Sequence, residues 1–270
     1  MKAAARLVAE ASPDGGRRTT RLTTLVGQAP LLLRQTNTED TTTTLPHVAI
    51  RPDAPPDAAT GAQVHLVGGA AGPIGGDELY LSLHLGPGAR LRVHSVAASL
   101  ALPGPRPSES TLDISVRIDA GASLTWSPQP LIAAQGARHR TTVRVEMAED
   151  AHLTWHEQTL LGRHGEHPGS ATTRLRVRRA ERTLLDHTLA VGPHHPGSLG
   201  PAVTATDRAS ATILIVDPAW THLPPADRLP LAPRDDAHGA IAVLPLPGPA
   251  VLISALAPDG LALQALLGRG

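Results

Sequence analysis

Four segments of the chain alternate strictly between apolar and polar positions. Leu79, Leu81, Leu83 and Leu85 are interleaved with Tyr80, Ser82 and His84, and Leu112, Ile114, Val116 and Ile118 with Asp113, Ser115 and Arg117. Val143, Val145 and Met147 alternate with Arg144 and Glu146, while Leu175 and Val177 sit among Arg174, Arg176 and Arg178. A period of two gives each segment one apolar and one polar face, the signature of a half-buried strand. Three of the segments run into a similar phrase: Gly86-Pro87-Gly88-Ala89, Asp119-Ala120-Gly121-Ala122 and Ala148-Glu149-Asp150-Ala151. Such residues supply positive or preset φ, so each phrase is expected to close one hairpin and open the next strand. A fourth, weaker copy runs over residues 174–189 through Ala180 and Glu181. Repetition at about thirty residues points to stacked units that bury faces against one another. The expected fold class is all-β: one domain, residues 1–270, of stacked antiparallel hairpins in a two-layer, solenoid-like or sandwich arrangement. A plain antiparallel meander with look-alike turns is the competing reading.

Outside this block the pattern loosens. Residues 21–26 and 30–35 suggest an opening hairpin, and a Pro-rich loop is expected over 51–61. Residues 192–200 read as a loop, 212–216 as a buried strand and 222–239 as irregular. The long uncharged run 239–258 is interrupted by Pro245, Pro247 and Pro249, so it predicts two buried strands split by a turn, not a membrane span. Residues 259–267 suggest a short C-terminal helix with Asp259 as N-cap and leucines on one face. Residues 240–267 either complete the core or offer a docking surface.

Composition narrows the chemistry. The chain of 270 residues has no Phe, three Trp and one Tyr, so its core must rest on Leu, Val, Ile and Ala. Lys2 is the only lysine, which rules out a P-loop lysine, a Schiff base and a Ser-Lys dyad. Without cysteine there is no disulfide, thiol nucleophile or Cys zinc site. Formal net charge is zero, giving no footprint for nucleic acid or an acidic membrane. Arg6, Glu10 and Asp14 interrupt the Ala-rich start before a signal-peptide core forms. A soluble protein is expected.

The connecting segments carry a resemblance. Ala71-Gly72-Pro73-Ile74-Gly75-Gly76-Asp77 is similar to a G-G-x-x-G-G-D motif, with Ala71 in place of the first glycine. Trp126-Ser127-Pro128-Gln129-Pro130-Leu131-Ile132 and Gly136-Ala137-Arg138 resemble W-x-P-Q-P-x-I and G-A-R. Glu149-Asp150-Ala151, Trp155-His156-Glu157 and Gly162-Arg163-His164-Gly165-Glu166 follow in order. Over about residues 68–169 this series resembles the UreD/UreH family of urease accessory proteins. The stretch from His94 to Leu100 departs from it, lacking the family's Gln, Lys and aromatic residue. The resemblance implies a cytoplasmic, non-catalytic β scaffold. It would bind the accessory protein UreF, which recruits the GTPase UreG, and together they would act on apo-urease. No cofactor is expected to bind tightly, and nickel would pass transiently.

Several residues are candidates for that role. Gly72, Gly75 and Gly76 precede a strand and not a helix, so a tight backbone crossing is favoured over a phosphate loop, with Asp77 bracing the turn or lining a polar path. Arg163 near Glu157 and Glu166 suggests a bidentate clamp on a loop; alternatively the carboxylates face a passage for a hydrated divalent cation. Among 14 histidines, His152 and His156 share one strand face, and His164 and His167 flank Glu166. Asp77, His152, His156, Glu157 and Glu166 are candidates for transient metal contact; the competing and favoured reading of the histidines is that they are scattered over a polar surface. Trp126 and Trp155 follow equivalent turns and are expected to stack. The rival readings are a divalent-metal hydrolase or lyase built on His152, His156 and Glu157, and a generic β-sandwich binding module.

Overall fold

The structure is a computed structural model and describes residues 1–14, 17–36, 61–220 and 239–267. Its strands in chain order begin with β1 (Lys2–Asp14), β2 (Arg17–Gly27), β3 (Leu31–Thr36), β4 (Ala62–Gly68), β5 (Glu78–Leu85) and β6 (Arg90–Ser95). Then come β7 (Ser99–Ala101), β8 (Ser110–Ile118), β9 (Ser123–Ser127), β10 (Leu131–Ala133), β11 (Arg138–Met147) and β12 (His152–Leu161). Last are β13 (Ser170–Arg179), β14 (Arg182–Val191), β15 (Ala209–Val216), β16 (Ala240–Pro245), β17 (Ala250–Ala257) and the helix α1 (Gly260–Leu266). The first sheet has the order β14-β13-β11-β8-β5-β1-β2; the second runs β16-β17-β15-β12-β9-β6-β4-β3, with short β7 and β10 joined at β12.

The fold is all-β and two-layered, with a solenoid-like winding, but its pairing differs from stacked hairpins. After each Ala-containing phrase the chain leaves the first sheet and enters the second: β5 leads to β6, β8 to β9, and β11 to β12. The strands on either side of a phrase are therefore not hydrogen-bonded to each other. Each pairs in parallel with its equivalent in the next coil, as β5 does with β8 and β8 with β11. Alternation in the sequence fixes which side chains face inward but not which strand is the partner, and an arch between layers uses the same turn chemistry as a hairpin. Antiparallel pairing is confined to the flanks, such as β1 with β2, β3 with β4, β13 with β14 and β12 with β15.

In-register stacking turns the repeats into inward rows. Leu7, Leu83, Val116, Val145 and Val177 form one row of the first sheet. Val64, Val93, Trp126, Trp155 and Leu214 form the facing row of the second. All of these are buried in the main core. Ala89, Ala122 and Ala151 sit at the three arches with no exposed surface. Backbone bonds continue through the corners, from Ser123 N–H to Ala89 O and His152 N–H to Ala122 O, each 2.9 Å. A methyl group is all such a stacked corner admits.

The fourth copy behaves differently. Ala180 and Glu181 have φ of 47° and 63°, and Arg179 pairs with Arg182, making a two-residue turn with positive φ at both central residues. That geometry suits the twist of a true hairpin, so β14 stays in the first sheet and ends it.

The N-terminal expectation also changes. Residues 21–26 lie in β2 and 31–35 in β3, strands that belong to opposite sheets and form no hairpin. The Pro-rich stretches 51–61 and 222–239 fall almost wholly outside the described residues. Run 239–258 does form two antiparallel strands, β16 and β17, but only β17 is buried, because β16 is the edge strand of its sheet. Asp259 caps α1, its side chain accepting from Ala262 N–H at 2.8 Å. Leu263 and Leu266 bury against Ile213 and Ile253, so this end of the chain completes a second apolar cluster on the second sheet.

Candidate functional site

The two sheets close together at the arches and separate at the opposite end, where β5, β8 and β11 begin and β9 and β12 finish. There a cavity of about 520 Å³ lies between them, lined on its polar side by Gln129, His139, Thr141, Glu157, Thr159 and Thr173. Its mouth is formed by the segment containing Val96, which is 66 % exposed, and by Gly72 and Pro73 of the glycine-rich motif. Trp126 contributes to the wall. Behind it Trp155 stacks at a centroid distance of 4.7 Å and an interplanar angle of 5°. The pair divides the hollow end from the packed end.

Strand parity decides where the acid points. Trp155 faces the interior, so Glu157, two residues on, faces the same way and reaches the cavity. Among the described residues its Oε2 is buried with no hydrogen-bond partner, as are the indole Nε1 atoms of Trp126 and Trp155. Burial pushes the Glu157 carboxyl up to about 7, an effect that the neighbouring Trp155 indole offsets only in part. His139 lies on the facing wall, with Ser110 Oγ 2.9 Å from Nδ1 and Thr141 Oγ1 3.2 Å from Nε2. Burial lowers its pKa to about 4, so the ring is neutral at neutral pH.

The other candidate residues are engaged elsewhere. Asp77 is buried, and its Oδ1 lies 2.7 Å from the Met1 amino nitrogen while Oδ2 accepts from Ile74 N–H at 2.9 Å. The motif around it is a backbone crossing: a Cβ on Gly75 would lie 2.6 Å from Gly104 N and 2.7 Å from Ser108 O. Gly72 and Gly76 have positive φ. Glu166 is held by Arg163 through both Nε and Nη2, and its other oxygen accepts from Arg163 N–H at 3.1 Å and Gln135 N–H at 3.4 Å. The Arg163 guanidinium, with these amides, holds the Glu166 carboxyl down at about 2. Gly162 and Gly165 give this loop its positive φ, and Arg138 opens β11 with its carbonyl accepting from Ser110 Oγ. Gln129, at the cavity mouth, donates its backbone N–H to Ser95 Oγ at 2.8 Å.

Glu157 forms no bond with Arg163, so the triad read from the sequence is not assembled. The clamp joins Arg163 to Glu166 alone. Nor do His152, His156 and Glu157 converge: both histidines lie on the opposite face of β12 from Glu157. His152 Nε2 is 3.4 Å from Asp217, and His156 is enclosed by Ser127 and Gln158. Among the described residues no three His, Asp or Glu side chains come together as a metal cage. This geometry gives no support to a metal hydrolase. The sequence reading passed over His139, whose position opposite Glu157 depends on which strands face each other.

The profile of the UreD family of urease accessory proteins matches the chain over residues 1–270. The chain belongs to the UreD family. Among its relatives is urease accessory protein UreD 3 of Streptomyces griseus subsp. griseus, 42% identical over 270 residues that cover 99% of this chain and 94% of the relative. Urease accessory protein UreD of Streptomyces coelicolor is 39% identical over 268 residues, with the same coverage. That of Frankia casuarinae is 38% identical over 287 residues, covering 100% of this chain and 88% of its own. This UreD-family chain thus serves urease maturation, together with urease and other accessory proteins. No helix among the described residues is long and apolar enough to cross a membrane.

Proposed function

We propose that this UreD-family chain is a non-catalytic cytoplasmic scaffold of the complex that inserts nickel into apo-urease, and that the cavity between its sheets is a passage for the ion. In this reading the chain binds UreF, which brings UreG, and presents the assembly to apo-urease. The observation that carries the passage is Glu157 Oε2, buried in the cavity wall with no hydrogen-bond partner among the described residues. A buried carboxylate oxygen left without a partner is unfavourable for folding alone. A hydrated divalent cation would supply the missing charge and hydrogen bonds, and one carboxylate among hydroxyls and an amide would hold it weakly enough to release it. Asp77 and Glu166 serve this reading as braces of the cavity's surroundings, because their oxygens are already taken by protein groups.

The experiment is co-expression of a tagged copy with UreF, UreG and the urease subunits, reading co-purification, urease nickel content and activity together. Loss of nickel and activity when this chain is omitted is expected. Glu157→Gln should still co-purify while leaving urease nickel-poor. Full nickel loading with Glu157→Gln would remove the carboxylate from the path, and full loading without the chain would overturn the scaffold reading.

A further inference from the structure

We propose that His65 and His94 form a two-imidazole site for a borderline divalent cation of the nickel, zinc or copper type, on the outer face of the second sheet. The two residues are register partners on the parallel strands β4 and β6. Their ring centroids are 5.7 Å apart at an interplanar angle of 39°. A cation bound through ring nitrogens at about 2.1 Å spans imidazole centroids separated by about 4.5 to 6.5 Å, so this spacing lies within reach.

The hydrogen bonds orient both rings. His94 Nδ1 is 3.3 Å from the carbonyl oxygen of Ser127 on β9. A carbonyl only accepts, so the proton sits on Nδ1 and the lone pair on Nε2. His65 Nδ1 is 3.0 Å from Thr36 Oγ1 on β3, which lies beyond β4. The two Nδ1 atoms are thus engaged outward, toward β9 and β3 respectively. On an imidazole ring Nε2 occupies the flank opposite Nδ1, so both Nε2 edges turn toward the gap between β4 and β6. Neither Nε2 has a hydrogen-bond partner among the described residues. A bond of this kind to a carbonyl is what fixes the tautomer of a metal-ligating histidine, and the Thr36 hydroxyl, which can accept as well as donate, orients His65 and accommodates the tautomer that leaves Nε2 as ligand.

The surroundings set the character of the site. Burial lowers the His94 pKa, the hydrogen bond to the Ser127 carbonyl opposes it, and His65 and Arg92 add to the lowering. Arg92, two residues earlier on the same face, also opposes a cation. With two protein ligands and no carboxylate, water completes the coordination and exchange is fast. The site is on the other face of the sheet from the cavity, so it stands or falls independently of the passage.

The test is calorimetric titration of Ni²⁺ and Zn²⁺ into the full chain, free of any polyhistidine tag, alongside His65→Gln and His94→Gln. Each variant should weaken the tightest site about tenfold or more, whereas Glu157→Gln should leave it unchanged. Cu²⁺ at one equivalent on the unaltered protein should show superhyperfine coupling to two imidazole nitrogens. That measurement can overturn the pair even if a variant fails to fold. Unchanged affinity in both His variants, or coupling to a single imidazole, overturns the assignment.

Discussion

The two ends of the inter-sheet space are built from the same strands and the same alternation, yet one is solid and the other hollow. At the arch end each coil turns on one stacked alanine, Ala89, Ala122 or Ala151, and the layers meet through Leu85, Ile118 and Met147. At the far end the returns are longer and carry extra elements, β7 and β10 among them, so the layers are held apart. There the inward positions of β11, β12 and β13 become His139, Thr141, Glu157 and Thr173, while Leu79, Leu81, Leu112 and Ile114 keep the wall from β5 and β8 apolar. Corner geometry, more than strand composition, decides whether an interior is core or cavity. The stacked Trp126 and Trp155 mark the border.

Removing that border is the severest way to break the contrast. Trp155→Ala deletes a fully buried ring and should cost about 3–5 kcal/mol, read as a drop in urea midpoint, with the cavity extended toward the arches. A loss under about 1 kcal/mol would mean that the packed end can collapse around the gap.

The hollow end should respond to pH instead. Glu157 keeps its proton to about pH 7, while the unfolded chain releases it near 4.5. Between those values the folded state binds more protons, so stability falls as pH rises, by up to about 3 kcal/mol. Glu157→Gln is therefore expected to melt higher than the parent at pH 8 and at a similar temperature at pH 4.5. His139 acts in the opposite sense. Its folded pKa of about 4 lies below the unfolded 6.5, so its contribution is lost as pH falls through that window. The two partly cancel in the parent, and Glu157→Gln should uncover a stability that climbs with pH between them. Parallel melting profiles for parent and variant would show the carboxylate to be solvated.

The mildest change sharpens the comparison at a corner. Ala122→Val inserts two methyl groups into a stacked arch and should cost about 1–3 kcal/mol. The same substitution at the exposed Ala97 of the cavity mouth should cost almost nothing. Equal effects at the two places would deny that the arches are close-packed.

Much of this was legible in the sequence. Strict alternation in residues 79–85, 112–118 and 143–147 exposed the inward faces, and the recurring Ala phrases exposed the coil. Asp259 marked the helix start. Partnership was not legible, because period-two patterning is blind to whether the next strand pairs alongside or lies across the core. Strand β1 was hidden by its small alanines, which pack against β5 without a strong apolar signal. At the site, the type of Glu157 was visible but its company was not: one step of strand parity separates it from His156, and Arg163 is committed to Glu166. The His65–His94 pair was invisible because only parallel register brings such distant residues together.

The Ala180–Glu181 turn has a consequence for the solution behaviour of the whole molecule. A parallel coil has no intrinsic reason to stop, since each strand offers the next an identical hydrogen-bonding edge. By folding β14 back antiparallel, with Arg182 and Asp186 along it, the chain presents an edge that a second molecule's coil does not continue. That turn ends the coil in the first sheet as the antiparallel β15 and β17 end it in the second, so neither layer offers a parallel edge for a further coil at this end.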